Sequence, residues 1–265
     1  MPSVTLTNTL QRGLRVLEAF TPALSKMRLQ DVVEKTGFPK VTVLRFLRTL
    51  LFLGYVSYDG KSKLYSLSPR VMSLGFTALS GMDLREAALP HLQELSDKTG
   101  QNVNLGILDG TEVVYIERIK KRRILNIDLY VGSHLDVYHT SIGHAILAYM
   151  NRADCQRTVD LLLKNSEIAT YLGPGGKHLY KRLEEVRQKG YAFNDEEYVA
   201  GLRAIAAPVF NHEGIVDAGI NVPVFAHQVS RQELLQYYVP LLIETAERVS
   251  GARGFVVHPS KEASQ

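Results

Sequence analysis

From Thr9 onward, apolar residues recur every three or four positions, so that Leu10, Leu14, Leu17 and Phe20 write one helical face that Pro22 closes. A second helix is predicted over about Leu29 to Thr36, with Leu29, Val32 and Val33 as its apolar set. Gly37 follows at a position that ends helices or makes tight turns. Pro39 suits the first turn of a third helix, where its missing N–H is not needed, and Val43, Phe46, Leu47 and Leu50 form that helix's buried stripe. The period then changes from helical to alternating. Tyr55 to Tyr58 alternates, Asp59-Gly60 signals a turn, and Lys63 to Leu67 alternates again. Helix, glycine-containing turn, helix and two-stranded wing are the parts of a winged helix-turn-helix, whose second helix lies in a DNA major groove.

Residues 67–90 return to helical spacing at Val71, Leu74 and Leu79, with Pro69 near the start and Pro90 near the end, which predicts one linker helix or two short ones. Beyond it the patterns mix. Leu89 to Thr99 reads as a helix, Val103 to Leu108 and Glu112 to Arg118 as a hairpin turning at Asp109-Gly110, and Ile124 to Leu129 as a further short strand. Ile142 to Met150 reads as a helix, IAAPVF and VDAGINVPV as late strands, and Ser230 to Ser250 as a closing helix. The expected fold class is α+β: a winged helix-turn-helix over 1–68, a linker helix over 69–84, and a domain of helices packed on a sheet over 85–265. No internal repeat or Gly/Ser-rich tether interrupts this order.

Charge sharpens the division. Residues 1–70 carry 11 Lys and Arg against 4 Asp and Glu, while the remainder carries 20 against 23. A basic head on a mildly acidic body suits a polyanion-binding module attached to something else. Lys40, Val41, Thr42, Leu44, Arg45 and Arg48 fall on the exposed side of the third helix. Lys61 and Lys63 fall at the wing tip, and Arg12 on the first helix. The cations suit phosphates and base edges, and Val41, Thr42 and Leu44 suit thymine methyl groups. The alternative is a winged helix that mediates protein contacts, on a body that is a metabolite sensor or an enzyme.

The 265 residues, 45% of them apolar, suffice for one large or two ordinary domains. No apolar run approaches the roughly 18 residues of a membrane helix, and MPSVTLTNTLQRG lacks the basic-then-apolar order of a signal peptide; a cytoplasmic protein without a membrane partner is expected. Cys155, the single cysteine, excludes an intrachain disulfide framework and any CxxC motif. His134, His139 and His144 are spaced five apart, which matches no metal motif. Ser141 with His144, or Asp195 to Glu197, would be the parts of a catalytic site, yet no orienting third group or GxSxG elbow accompanies them; no catalysis, metal or cofactor is expected. Lys120 to Arg123 reads as a solvated loop. Thr140 or Ser141 can cap the helix that follows, and a small carboxylate could be held at that helix N-terminus without any arginine.

RGLRVLEAF, LQDVVEKTGFPKVTVLRFLRTLLFLGYV and YSLSPRVMSLG resemble the N-terminal domain of the IclR family of bacterial transcriptional regulators. Gly190 to Glu197 and GLRAIAAPVF at residues 201–210 resemble that family's C-terminal motifs, so the resemblance spans nearly the whole chain. Where the family usually has Lys-Ser-Thr-Val-His-Arg, this chain has Lys-Val-Thr-Val-Leu-Arg at residues 40–45, so Val41 and Leu44 separate it from any family operator. The resemblance implies a GAF-like C-terminal domain whose pocket contains Ile124, Ile127, Leu135, Ser141, Ile142, Asn194, Leu202, Ala204, Asn221 and Pro223. Asn194 stands where an aspartate is common, which adds no charge and eases entry of an anionic or hydroxylated ligand. RILNIDLYVGSHLDVYHTSIGHAILA looks nearer to the branch that senses aromatic-catabolism metabolites such as protocatechuate, p-hydroxybenzoate or β-ketoadipate. The partners it implies are double-stranded promoter DNA, a small carboxylate effector, and further copies of the chain in a dimer or a dimer of dimers.

Overall fold

A computed structural model describes residues 7–121, 129–197 and 199–256. The chain divides into two compact units, Met1–Gly81 and Met82–Gln265.

The first unit runs α1 (Asn8–Glu18), β1 (Lys26–Met27), α2 (Leu29–Thr36), α3 (Lys40–Phe52), β2 (Val56–Asp59), β3 (Leu64–Leu67) and α4 (Arg70–Ser80). Gly37 takes φ +68° and carries the chain from α2 into α3, a left-handed conformation that favours glycine. Pro39 is the residue before α3 rather than its first helical position. Val43, Phe46, Leu47 and Leu50 are buried against Val16, Phe20, Met27, Val32 and Tyr65, which makes one small core. The wing strands pair antiparallel, and β1, which the pattern did not predict, adds a third strand beside β3. The wing turn is a four-residue loop whose left-handed residue is Lys63, at φ +58°, and not Gly60. Asp59 fixes that loop, its carboxylate accepting from the Lys61 N–H and the Ser62 hydroxyl.

The predicted face of α1 is rotated from the buried one. Gly13 lets the helix pack closely on Phe46, so Val16, Ala19 and Phe20 are buried, while Leu10 and Leu14 stand 64% and 48% exposed.

The second unit begins with α5 (Asp83–Thr99), which passes through Pro90 without ending, so the helix expected from Leu89 starts six residues earlier. Then follow β4 (Val103–Asp109), β5 (Glu112–Ile119), β6 (His134–Asp136), α6 (Ser141–Tyr149), α7 (Arg152–Leu162), α8 (Ser166–Leu172), α9 (Lys177–Lys189), β7 (Ala192–Asp195), β8 (Leu202–Phe210) and β9 (Val216–Phe225). The expected single closing helix is α10 (Arg231–Glu233), a π-helical turn over Leu234–Tyr238, and α11 (Val239–Ala252). Pro240 explains the interruption, since its nitrogen can donate no helical hydrogen bond to the preceding turn. The strand expected from Ile124 falls, up to residue 128, outside the described residues.

Six antiparallel strands form one sheet in the order β6-β5-β4-β9-β8-β7. Helix α6, backed by α7, α8 and α9, packs on one face, with Ile142, Ile146, Leu147, Val159, Leu179 and Leu183 in that core. Helices α5 and α11 cover the other face. The seat of α6 is made of glycines. Gly106 and Gly219 are cross-strand partners, and a Cβ on either would come 3.3 or 3.1 Å from the Ile142 side chain.

Candidate functional site

In the first unit, Arg12, Lys40, Val41, Arg45, Arg48, Lys61 and Lys63 are exposed, and Thr42 and Leu44 are half-buried. Helix α3 thus presents Lys40, Val41, Arg45 and Arg48 on the side opposite its buried stripe. Arg12 lies over the Phe38 ring at 5.8 Å, which ties α1 to the turn between α2 and α3. Exposed cations thus stand on α1, α3 and the wing of one small unit.

In the second unit, a cavity of about 530 Å³, counted with its mouth, opens between the sheet and the N-terminus of α6. Leu135, Ser141, Asn194, Leu202, Ala204, Asn221 and Pro223, seven of the residues expected there, line it. Ile142 does not: it is fully buried and turned down onto the glycine seat, because successive helical residues face different directions. Ile124 and Ile127 lie outside the described residues. The sequence reading missed Asn104, Tyr115, Arg118, Leu129 and His139, and named Thr140 only as a candidate cap.

Sheet register assembles the polar part of the wall. Arg118 pairs with Asn104, and Asn104 with Asn221, so the three stand in one row across β5, β4 and β9. The Asn104 amide donates to Asn221 Oδ1 at 2.7 Å. A bulge decides which residues of β5 join this wall. Gly106 pairs with Tyr115 and Leu105 with Glu117, leaving Ile116 unpaired, so Tyr115 and Arg118 face the same side although three apart. Strict alternation would have separated them.

At the helix end, Thr140 is the cap: its hydroxyl accepts from the Gly143 N–H at 3.1 Å. Ser141, 2% exposed, keeps its hydroxyl without a hydrogen-bond partner. Asn194 donates to the His139 carbonyl at 2.9 Å and accepts from the Glu197 N–H at 3.2 Å. It therefore holds the rim as well as lining it. Arg203 braces the same rim, donating to Asp195 at 2.6 Å and to the carbonyls of Ala226 and Val229.

Arg118 changes the electrostatics. Among the described residues it is the only charged side chain in the lining if His139 is neutral, and burial lowers the His139 pKa below its usual value. Beside the α6 N-terminus, where a carboxylate could be held without any arginine, the wall also carries a guanidinium. Fully buried His144 has its pKa lowered to about 4 by desolvation, and its Nε2 lies 2.7 Å from the Tyr138 carbonyl, so it fixes the loop before α6 as a neutral ring. Ser141 Oγ and His144 Nδ1 each lack a hydrogen-bond partner, so the two are not paired as nucleophile and base. Among the described residues no cluster of three His, Cys, Asp or Glu could hold a metal, and no helix is long and apolar enough to cross a membrane. Cys155 is buried and its thiol pKa is raised by that burial. Lys121 of the basic run is tied down by Asp97 and by the Asn102 side chain, whereas Arg122 and Arg123 lie outside the described residues.

A winged helix-turn-helix carried on a sheet domain with a small-molecule-sized cavity defines a DNA-binding transcriptional regulator. The chain belongs to the IclR family: residues 9–60 match the IclR helix-turn-helix domain, and residues 76–251 match the family described as bacterial transcriptional regulator IclR C-terminal. It is similar to the Pca regulon regulatory protein of Pseudomonas putida, with 34% identity covering 89% of this chain and 80% of that one. It is also similar to the p-hydroxybenzoate hydroxylase transcriptional activator of Acinetobacter baylyi, with 29% identity covering 91% and 89%. The crystal structure of an IclR family transcriptional regulator from Brucella abortus superposes with a TM-score of 0.77 at 28% identity, covering 94% of this chain and 93% of that one. This family consists of regulators, and the chain is not an enzyme.

Proposed function

We propose that this regulator answers to a small organic acid produced in aromatic catabolism, a hydroxybenzoate or a ring-cleavage product, bound in the cavity of residues 85–265. The observation that carries the reading is the cavity itself: an apolar wall of Leu129, Leu135, Leu202 and Pro223 facing a few buried polar groups and one cation. The names of the Pseudomonas and Acinetobacter relatives support the aromatic class. Residues 1–68 read promoter DNA in the cytoplasm. Lys40, Val41, Thr42, Leu44, Arg45 and Arg48 enter the major groove, while Arg12, Lys61 and Lys63 hold phosphates.

The reading requires pairing, because two heads on one chain-symmetric site need two chains. Exposed Leu10 and Leu14 on α1, together with Met72, Leu74 and Phe76 on α4, a helix with no buried residue over 70–79, support a second copy of this chain as their cover. Residues 69–84 are then the linker between a ligand-biased body and the reading heads. The ligand acts only insofar as it binds two arrangements unequally.

The test is fluorescence anisotropy of the full chain on duplexes enriched from a random pool, over a range of salt, with and without hydroxybenzoates and short aliphatic acids. Affinity that falls steeply with salt and shifts with one class of acid is expected. A flat salt response would remove the DNA assignment, and indifference to every acid would remove the effector assignment.

A further inference from the structure

The cavity wall holds buried polar groups that no described residue answers. Arg118 Nε and Nη1 are out of contact with solvent and have no hydrogen-bond partner, and Asn104 Oδ1 and Ser141 Oγ share that condition. No Asp or Glu lines the cavity among the described residues. The carboxylate next in sequence, Glu117, turns to the opposite sheet face, where it lies 2.7 Å from Arg85 of α5. Arg118 as a whole is half-buried, yet two of its donors are sealed from solvent, and unmatched buried donors are rare enough to require an explanation.

The unanswered groups fall into two chemical kinds. Arg118 offers only donors and a positive charge, which suit a carboxylate. Ser141 can donate or accept, and the Asn104 side chain has one amide atom left over from its pairing with Asn221; a hydroxyl, which also donates or accepts, answers both. A second carboxylate would answer Ser141 but would meet the Asn104 oxygen as acceptor against acceptor.

We propose that Arg118 is the charge-selecting residue of this cavity, and that the ligand is a hydroxy acid with its carboxylate on Arg118 and its hydroxyl on Asn104 and Ser141. This rests on reading the cavity as the effector site. It adds which group of the ligand each wall residue selects, and it favours hydroxybenzoates over ring-cleavage dicarboxylates.

The experiment is calorimetric titration of the full chain with 3- and 4-hydroxybenzoate, the two corresponding hydroxybenzamides, benzoate and adipate. At least one hydroxybenzoate binds, and its amide binds about 100-fold more weakly, as loss of a charge-assisted pair implies. Arg118→Met brings acid and amide to within about threefold of each other, Arg118→Lys restores part of the preference, and Ser141→Ala removes the advantage over benzoate while keeping that over the amide. The melting temperature of Arg118→Met should equal or exceed that of the parent, which separates lost selection from lost folding. An amide that binds as tightly as its acid, or an Arg118→Met protein that still prefers the acid, overturns the role of Arg118. Binding of adipate in preference to the hydroxybenzoates overturns the hydroxyl assignment. If none of the compounds binds while DNA binding is intact, the effector reading fails together with this one.

Discussion

Asn194 and His139 are joined across the cavity rim: the amide of one donates to the backbone carbonyl of the other at 2.9 Å. Only a donor can do this, so the residue type matters at an otherwise isosteric position. Asn194→Asp places a buried carboxylate against that carbonyl, and the expected cost is about 1–3 kcal/mol, from an unsatisfied acceptor and a desolvated charge. Urea denaturation at pH 7 measures it. An unchanged midpoint would show that the rim is held by other contacts.

His144 predicts a pH dependence with a definite sign. Its folded pKa is depressed to about 4, below the unfolded value of about 6.5, so the unfolded chain binds the extra proton first as pH falls. The stability of the neutral buried ring is present above pH 6.5 and is lost from there down toward pH 4. Between pH 7 and pH 5 the loss is about 2 kcal/mol. Subtracting the same pH series for His144→Asn isolates it from the carboxylates, and parallel series would mean that the ring is not buried neutral.

The seat of α6 leaves no room for methyl groups. A Cβ on Gly143 would fall far inside contact with the Val137 carbonyl, whereas one on Gly219 would only press Ile142 at 3.1 Å. Gly219→Ala should cost about 1–3 kcal/mol as overpacking. Gly143→Ala, meeting backbone that cannot move aside, should cost more, and thermal denaturation of the two variants gives the order.

In the DNA-reading unit, Arg45 and Lys63 should behave differently. Arg45→Ala is expected to lose about 1–3 kcal/mol on the enriched duplex and little on random DNA if it reads a base. Lys63→Ala should weaken both alike and lower the salt slope by about one. Anisotropy on the two duplexes separates these outcomes, and equal losses for Arg45→Ala would make it a phosphate contact.

Much of the fold was legible because each element carried a local signal. The buried stripe of α3 and the turn at Gly37 follow from period and from backbone freedom, and seven cavity residues followed from family motifs. Arg118 was not legible, for a specific reason. Alternation assigns β5 side chains to faces by parity, and the bulge at Ile116 reverses the parity between Tyr115 and Arg118. Nothing in EVVYIER marks that extra residue. The outward turn of Leu10 and Leu14 was hidden likewise, since a period shows that a helix has an apolar face but not which edge of it meets Phe46. The role of Asn194 at the rim depends on a carbonyl 55 residues away, which no local pattern shows.

The glycine pair under α6 and the apolar cavity wall differ in how far descent can alter them. Gly106 and Gly219 have no side chain to exchange, and larger residues there unseat the helix that carries Ser141. The side chains of Leu129, Leu135, Leu202 and Pro223 have no hydrogen-bonding groups and touch the cavity through apolar surface alone. New cavity shapes can therefore be acquired by exchanging these four, while the helix seat and the polar row keep their arrangement. A lineage of such regulators would be expected to drift in which molecule it senses far more readily than in how that molecule is held.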